Sequence, residues 1–299
     1  MHVKLGMSPI SWSNDDLPEL GGDTSLDTCL SETFEAGFTG TETGGKFPKN
    51  PIDLKLALEK HGLNLVSGWY SGTLINNTLE NEIKKITPQL ELFKTVGASV
   101  IVYGETFNTI QNKINTPISK RPKLDQFNLK EYGQKLTLLA EHCSEIGVPL
   151  TFHHHMGTAV ESENEINKLM SSTGKEVGLL LDTGHLHFAE GNYRNIISKH
   201  GKRINHVHTK DIRQEVLKTI NKYNESFLNC VLKGVFTVPG DGVIDYDDFM
   251  QRLHGIGYEG WVVVEAEQDP KTANPLIYAK KGYRALVNSL NKAGYEIEV

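Results

Sequence analysis

Five times along this chain a helix-patterned stretch stops at a glycine and a short apolar run begins a few residues later. The glycines are Gly37, Gly62, Gly97, Gly147 and Gly257. Lacking Cβ, glycine takes the left-handed backbone that closes a helix at low cost. Each such unit returns the chain to the same end of a sheet, so the strands it joins are parallel. Apolar runs predict strands at 3–7, 40–42, 63–67, 100–103, 149–153, 177–182, 204–208 and 261–265. Helical spacing predicts helices at 26–36, 52–61, 80–95, 129–146, 161–170, 193–199, 246–256 and 275–293. Leu136, Leu139, Ala140 and Cys143 form one such apolar stripe. Eight units within 299 residues fit an α/β fold, a closed (β/α)8 TIM barrel occupying 1–299 as one domain. An open doubly wound sheet is the weaker alternative, because no GxGxxG follows the first strand.

Charge and composition exclude some functions. The formal net charge is −6, so there is no basic footprint for nucleic acid. No apolar run approaches the ~20 residues of a membrane span. The N-terminus lacks the apolar core of a signal peptide, which predicts a cytoplasmic setting. The 3 cysteines, Cys29, Cys143 and Cys230, lie far apart and form no CxxC pair. Neither a disulfide framework nor a thiolate metal site is indicated. Assembly as a homo-oligomer stays open.

The 12 histidines are the compositional anomaly, and many stand at predicted strand ends. The fifth strand ends in His153-His154-His155, the sixth in Leu181-Asp182-Thr183-Gly184-His185. The seventh reads His206-Val207-His208-Thr209-Lys210, and the eighth ends in Glu265-Ala266-Glu267. Barrel active sites form at the C-terminal ends of the strands. Side chains alternate along a strand, so His153 and His155 share a face, as do His206 and His208, and Glu265 and Glu267. One His at a strand end is more often structural than a ligand. Four consecutive strands each ending in a metal-competent group predict a divalent metal held by His153, Asp182, His208 and Glu265. Parity alone leaves His155 as an alternative to His153. A nitrogen and oxygen set without thiolate suits Mn²⁺ or Co²⁺, with Zn²⁺ or Fe²⁺ as alternatives, better than Mg²⁺ or Ca²⁺.

The first half contributes a polar lining: Glu42 after the second strand, Trp69 and Tyr70 after the third, Tyr103 and Glu105 around the end of the fourth. Aromatic faces and carboxylates suit a hydroxylated ring. With His185 and Glu267, the residues Trp69, Tyr70, Tyr103 and Glu105 are the substrate-binding candidates. The long connections at 105–125 and 210–245 should border the site, the second as a lid.

These strand ends resemble the xylose-isomerase-like barrel superfamily, whose members bind metal through Glu, Asp, His and Glu. Asp182, His208 and Glu265 match the last three positions, while His153 stands where most members have Glu. Six strings narrow the resemblance to the myo-inosose dehydratases (2-keto-myo-inositol dehydratases): ISWSNDDLPELGGD (10–23), GFTGTETGGKFP (37–48), HHHMGTAVE (153–161), LLDTGHLHFAEG (180–191), FTVPGDG (236–242) and WVVVEAEQDP (261–270). The similarity covers almost the whole chain. It implies a carbon–oxygen lyase of inositol catabolism that removes water from a cyclic polyol ketone, giving a trihydroxycyclohexane-1,2-dione. Glutathione is associated with that family and so belongs to what the resemblance implies. The reaction needs a Lewis acid at the ketone, a base for the adjacent C–H and an acid for the leaving hydroxyl. His155, Lys210 and Glu42 are the catalytic candidates, His155 foremost because it titrates near neutrality. A metal-dependent sugar or polyol isomerase or epimerase of the same superfamily is the alternative. It needs the metal and base but no acid for a leaving hydroxyl.

Overall fold

Each of the eight long helices opens on a short polar residue whose side chain accepts a backbone N–H of the first turn. The caps are Ser25, Asn50, Thr78, Asn128, Ser162, Asn192, Asp245 and Asn274. Such caps satisfy donors that a helix leaves orphaned, each worth roughly 1 kcal/mol. The computed structural model describes residues 1–298. The helices are α1 (Leu26–Glu35), α2 (Pro51–Lys60), α3 (Leu79–Val96), α4 (Leu129–Ile146), α5 (Glu163–Ser172), α6 (Tyr193–His200), α7 (Tyr246–Gly255) and α8 (Pro275–Ala293). All five predicted stop glycines have positive φ, from 67° at Gly62 to 108° at Gly37.

The barrel strands are β1 (His2–Met7), β2 (Gly40–Thr43), β3 (Asn64–Gly72), β4 (Ile101–Glu105), β5 (Leu150–His153), β6 (Gly178–Asp182), β7 (Ile204–Thr209) and β8 (Gly260–Val264). Each pairs in parallel with the next, and β8 pairs with β1, with Val3 opposite Gly260, to close the barrel. Glu296–Glu298 adds one more parallel strand beside the start of β1.

Period-two alternation sorts the strand residues into two layers. Val3, Leu5, Met7, Tyr103, Phe152, Leu179, Leu181, Val207, Val262 and Val264 face the helices in the main core. Inside the barrel, Val66, Trp261 and Val263 form a separate plug. Gly40 makes room for it: a Cβ there would stand 2.5 Å from the Trp261 ring. The plug closes the N-terminal end, so polar inward side chains gather towards the C-terminal mouth.

The pairing of β2 with β3 carries one irregularity. Thr41 lies opposite Leu65, but Thr43 lies opposite Gly68, so β3 gains a residue. A bulge of this kind re-aims every later side chain of the strand.

The 210–245 connection is folded rather than an open flap. Asp211–Ile212 pairs antiparallel with Phe236–Thr237, and short helices span Gln214–Leu217 and Phe227–Leu232. Its Phe227, Leu228, Val231, Val235 and Phe236 are buried with Phe188 and Met156 in a second hydrophobic cluster. The segment is thus packed against the barrel, with Phe227 beside His155 and His185.

Candidate metal centre at the barrel mouth

Four buried side chains converge where β5 to β8 end. One ligand atom from each of His153, Asp182, His208 and Glu265 lies within 4.8 Å of the others. His208 Nδ1 stands 2.7 Å from Glu265 Oε2 and 3.7 Å from Asp182 Oδ2. His153 Nε2 is 4.0 Å from both of those oxygens. These spacings bracket those of donors sharing one ion at about 2.1 Å. The same four atoms, His153 Nε2, Asp182 Oδ2, His208 Nδ1 and Glu265 Oε2, lack hydrogen-bond partners although buried. Orphaned buried polar atoms are costly, and four of them facing one point fit a divalent cation.

Their other atoms are held in place. His153 Nδ1 donates to the His154 carbonyl at 2.6 Å, presenting Nε2 inward. Asp182 caps the helix Thr183–Phe188, Oδ1 accepting from His185 N at 2.8 Å, which leaves Oδ2 free. His208 Nε2 donates to Glu42 Oε1 at 3.0 Å, which leaves Nδ1 for the ion. Supporting bonds of this kind fix the tautomer and ring angle of metal-binding histidines. Glu42 Oε1 also accepts from His206 Nε2 at 3.0 Å and from Ser67 Oγ at 2.5 Å. Burial opposes ionisation of Glu42, but His208 and His206 outweigh it and hold the carboxyl well below its ordinary range.

Behind this quartet lies a second group. Lys210 Nζ donates to Glu267 Oε1 at 2.6 Å and to His185 Nε2 at 2.8 Å, and stands 3.4 Å from Glu265 Oε2. Burial raises the cost of charging Asp182, Glu265 and Glu267, yet Lys210 and neighbouring histidines outweigh it and all three stay ionised. His155 donates Nδ1–H to the Met156 carbonyl at 2.8 Å and turns Nε2 towards Glu267, 3.7 Å away. Burial works against charging His155, but the Glu267 carboxylate prevails and the net shift is upward.

The mouth is a cleft lined by His153, His155, His208, Glu265, Glu42, Trp69, Ser13, Asp16 and Gln111, among others. The Trp69 ring lies edge-on to His153 and His155, centroids 5.6 and 5.7 Å away. The structure thus brings the four predicted ligands, His155, Glu42 and Trp69 to one place. His185, Glu267 and Lys210 sit behind its wall, fully or almost fully buried. Tyr70, Tyr103 and Glu105 are not brought there. Beyond the bulge, alternation turns Trp69 inward and Tyr70 towards α3, where its hydroxyl donates to Glu82 Oε1 at 2.9 Å. In β4, Val102 faces the mouth, so Tyr103 and Glu105 face the helices. Tyr103 donates to Glu105 Oε2 at 3.0 Å, and Ile75 N and Phe107 N also donate to that carboxyl.

Asp16 and Gln111 line the mouth without having been singled out. Gln111 Nε2 donates to Asp16 Oδ2 at 3.0 Å, and burial raises the Asp16 pKa. The paired aspartates Asp15-Asp16, in the connection between β1 and α1, were the available signal. No periodicity could have aimed a loop residue from after β4 at them.

A closed parallel barrel with buried His, Asp and Glu side chains gathered at its C-terminal mouth is the architecture of a barrel enzyme, whose active site lies at that face. A family model described as xylose isomerase-like TIM barrel matches residues 30–293, and the chain belongs to that family. It is 48% identical over 99% of its length, and 91% of the relative's, to the rhizopine catabolism protein MocC of Rhizobium meliloti. It is 44% identical to an inosose dehydratase of Geobacillus thermodenitrificans strain NG80-2, over 93% of this chain and 94% of the relative. Among solved structures, the IolI protein with a bound zinc atom superposes with a TM-score of 0.64 at 20% identity, covering 97% of this chain and 98% of that one. That likeness shows the shared fold. No helix among the described residues is long and apolar enough to cross a membrane.

Proposed function

We propose that this chain is a metal-dependent hydro-lyase that removes water from 2-keto-myo-inositol, giving a trihydroxycyclohexane-1,2-dione. The observation that carries the metal requirement is the set of four orphaned donor atoms at the ends of β5 to β8. The 44% identity to an inosose dehydratase over nearly the whole of both chains carries the substrate. A divalent ion held by His153, Asp182, His208 and Glu265, with Mn²⁺ or Co²⁺ the metals we favour, supplies Lewis acidity towards the ketone oxygen.

The rest is the work of this chain's residues. Trp69 offers an apolar ring face beside the centre, and Ser13, Asp16 and Gln111 offer polar partners for ring hydroxyls. Two groups of the mouth outside the ligand set are suited to proton transfer. Asp16, whose raised pKa makes its carboxylate a stronger base, takes the proton next to the ketone. His155, kept protonated by Glu267, delivers a proton to the departing hydroxyl. Glu42, considered for catalysis from sequence, is assigned to holding His208, because His206, His208 and Ser67 all converge on its Oε1.

The test is the product. Purified protein loaded with Mn²⁺ should convert 2-keto-myo-inositol to a compound lighter by one water, with the ultraviolet absorption of an enolised dione. Myo-inositol, lacking the ketone that acidifies the neighbouring C–H, should not react. A ketose of unchanged mass would overturn the dehydratase reading in favour of an isomerase or epimerase.

A further inference from the structure

A second group of metal-competent side chains lies beside the first. His155, His185 and Glu267 are all buried, with one ligand atom of each within 4.8 Å of the others, and Glu267 Oε2 has no hydrogen-bond partner. By donor type this trio suits a second divalent cation. A cation already stands there, and it belongs to the chain. Lys210 Nζ lies 2.6 Å from Glu267 Oε1 and 2.8 Å from His185 Nε2. It also lies 5.2 Å from the centroid of the Phe236 ring, which favours a positive charge over its face.

The lysine is fixed along its whole length. Thr183 Oγ1 donates to the Lys210 carbonyl at 2.9 Å and accepts from its N–H at 3.2 Å. Its stem passes over Gly184, where a Cβ would lie 2.6 Å from the Lys210 Cγ. Gly184 therefore clears the track for the lysine, a reason for glycine within the DTGH string.

We propose that Lys210 is a built-in cation filling a latent second metal site, which makes the centre mononuclear. A second divalent ion in place of the ammonium would take His155 and His185 as ligands beside Glu267.

The inference rests on the quartet being a metal site, and the experiment separates the two. Wild-type protein and Lys210→Met are saturated with Mn²⁺ and gel-filtered. Manganese per chain is then measured by elemental analysis, and electron paramagnetic resonance reports exchange between neighbouring ions. Wild type should hold one ion. Lys210→Met should hold two with a coupled spectrum, and Lys210→Met/Glu267→Gln should return to one. Lys210→Gln, with a polar side chain of similar reach, replaces Lys210→Met if the latter does not fold. No manganese in wild type would overturn the quartet reading. Two ions in wild type, or one in both wild type and the lysine variant, would overturn the built-in cation alone.

Discussion

Strands β5 to β8 and strands β2 to β4 both end in polar stretches, yet the two halves of the barrel use them differently. At the ends of β5 to β8, His153, Asp182, His208 and Glu265 all turn inward, and each leaves one donor atom unpartnered. At the ends of β3 and β4, Tyr70, Tyr103 and Glu105 turn outward and satisfy one another and the backbone beneath α3 and α4. Unspent donors facing a cavity mark a binding site; satisfied ones packed under helices mark a wall. A glutamate stands at a strand end in both halves, Glu265 in one and Glu105 in the other. Parity, and whether the hydrogen-bonding capacity has been used, separates them.

The largest effects should follow from breaking the inward half. Asp182→Asn keeps the helix cap, since an amide oxygen still accepts from His185 N, but removes the charge facing the ion. It should cut metal occupancy and lower kcat/KM by about 10³-fold, roughly 4 kcal/mol, with an unchanged circular dichroism spectrum. His153→Ala should likewise lose metal, whereas His155→Ala should keep it and lose kcat. Elemental analysis beside steady-state kinetics checks all three. If His155→Ala were the variant that lost metal, the two histidines would have to exchange roles.

The convergence of the inward half was legible because four apolar runs in succession end in metal-competent side chains at matching parity, and short strands leave little room to misplace a register. The outward half was not. Strand β3 runs on to Gly72, five residues beyond its predicted end, and its bulge opposite Thr41–Thr43 changes parity on the way. A bulge follows from how two strands pair, which the sequence of one does not record. The helix Thr183–Phe188 was hidden for another reason: its cap, Asp182, reads first as a ligand.

A middling effect should come from Glu105. Burial pushes its carboxyl up from the ordinary 4.5 to about 7, against the pull of the Phe107 and Ile75 N–H groups. A raised pKa means that the folded chain binds this proton more tightly than the unfolded chain. Its stabilising contribution is full below about pH 4.5 and is lost as pH rises to about 7, near 3 kcal/mol in all. Glu105→Gln should therefore gain on wild type by up to that amount between pH 5 and pH 8 in denaturant melts, while kcat at neutral pH hardly changes. Parallel stability profiles would show that Glu105 stays ionised throughout, and its place in the wall would need another account.

The smallest effect sharpens the comparison most. Trp69 and Tyr70 are adjacent aromatics, both expected from sequence to touch substrate; alternation in β3 sends one each way, and the bulge decides which. The Tyr70 hydroxyl donates to Glu82 Oε1 at 2.9 Å, and that carboxylate also receives Asn77 Nδ2 at 2.8 Å and Thr73 N at 3.2 Å. The Thr73 hydroxyl donates to it as well, at 3.5 Å, so Tyr70→Phe removes one donor of four while keeping the ring against Tyr103, and the loss should be about 1–2 kcal/mol of stability. Neither KM nor kcat should move, because nothing on that ring reaches the mouth. Trp69→Phe makes the opposite trade. It gives up ring area beside His153 and His155 and the bond from Trp69 Nε1 to Ser71 Oγ, so KM should rise several-fold while the melting temperature moves little. A Tyr70→Phe enzyme with a raised KM would place that side chain at the substrate, and the assignment of β3 residues to mouth and wall would then be one residue out.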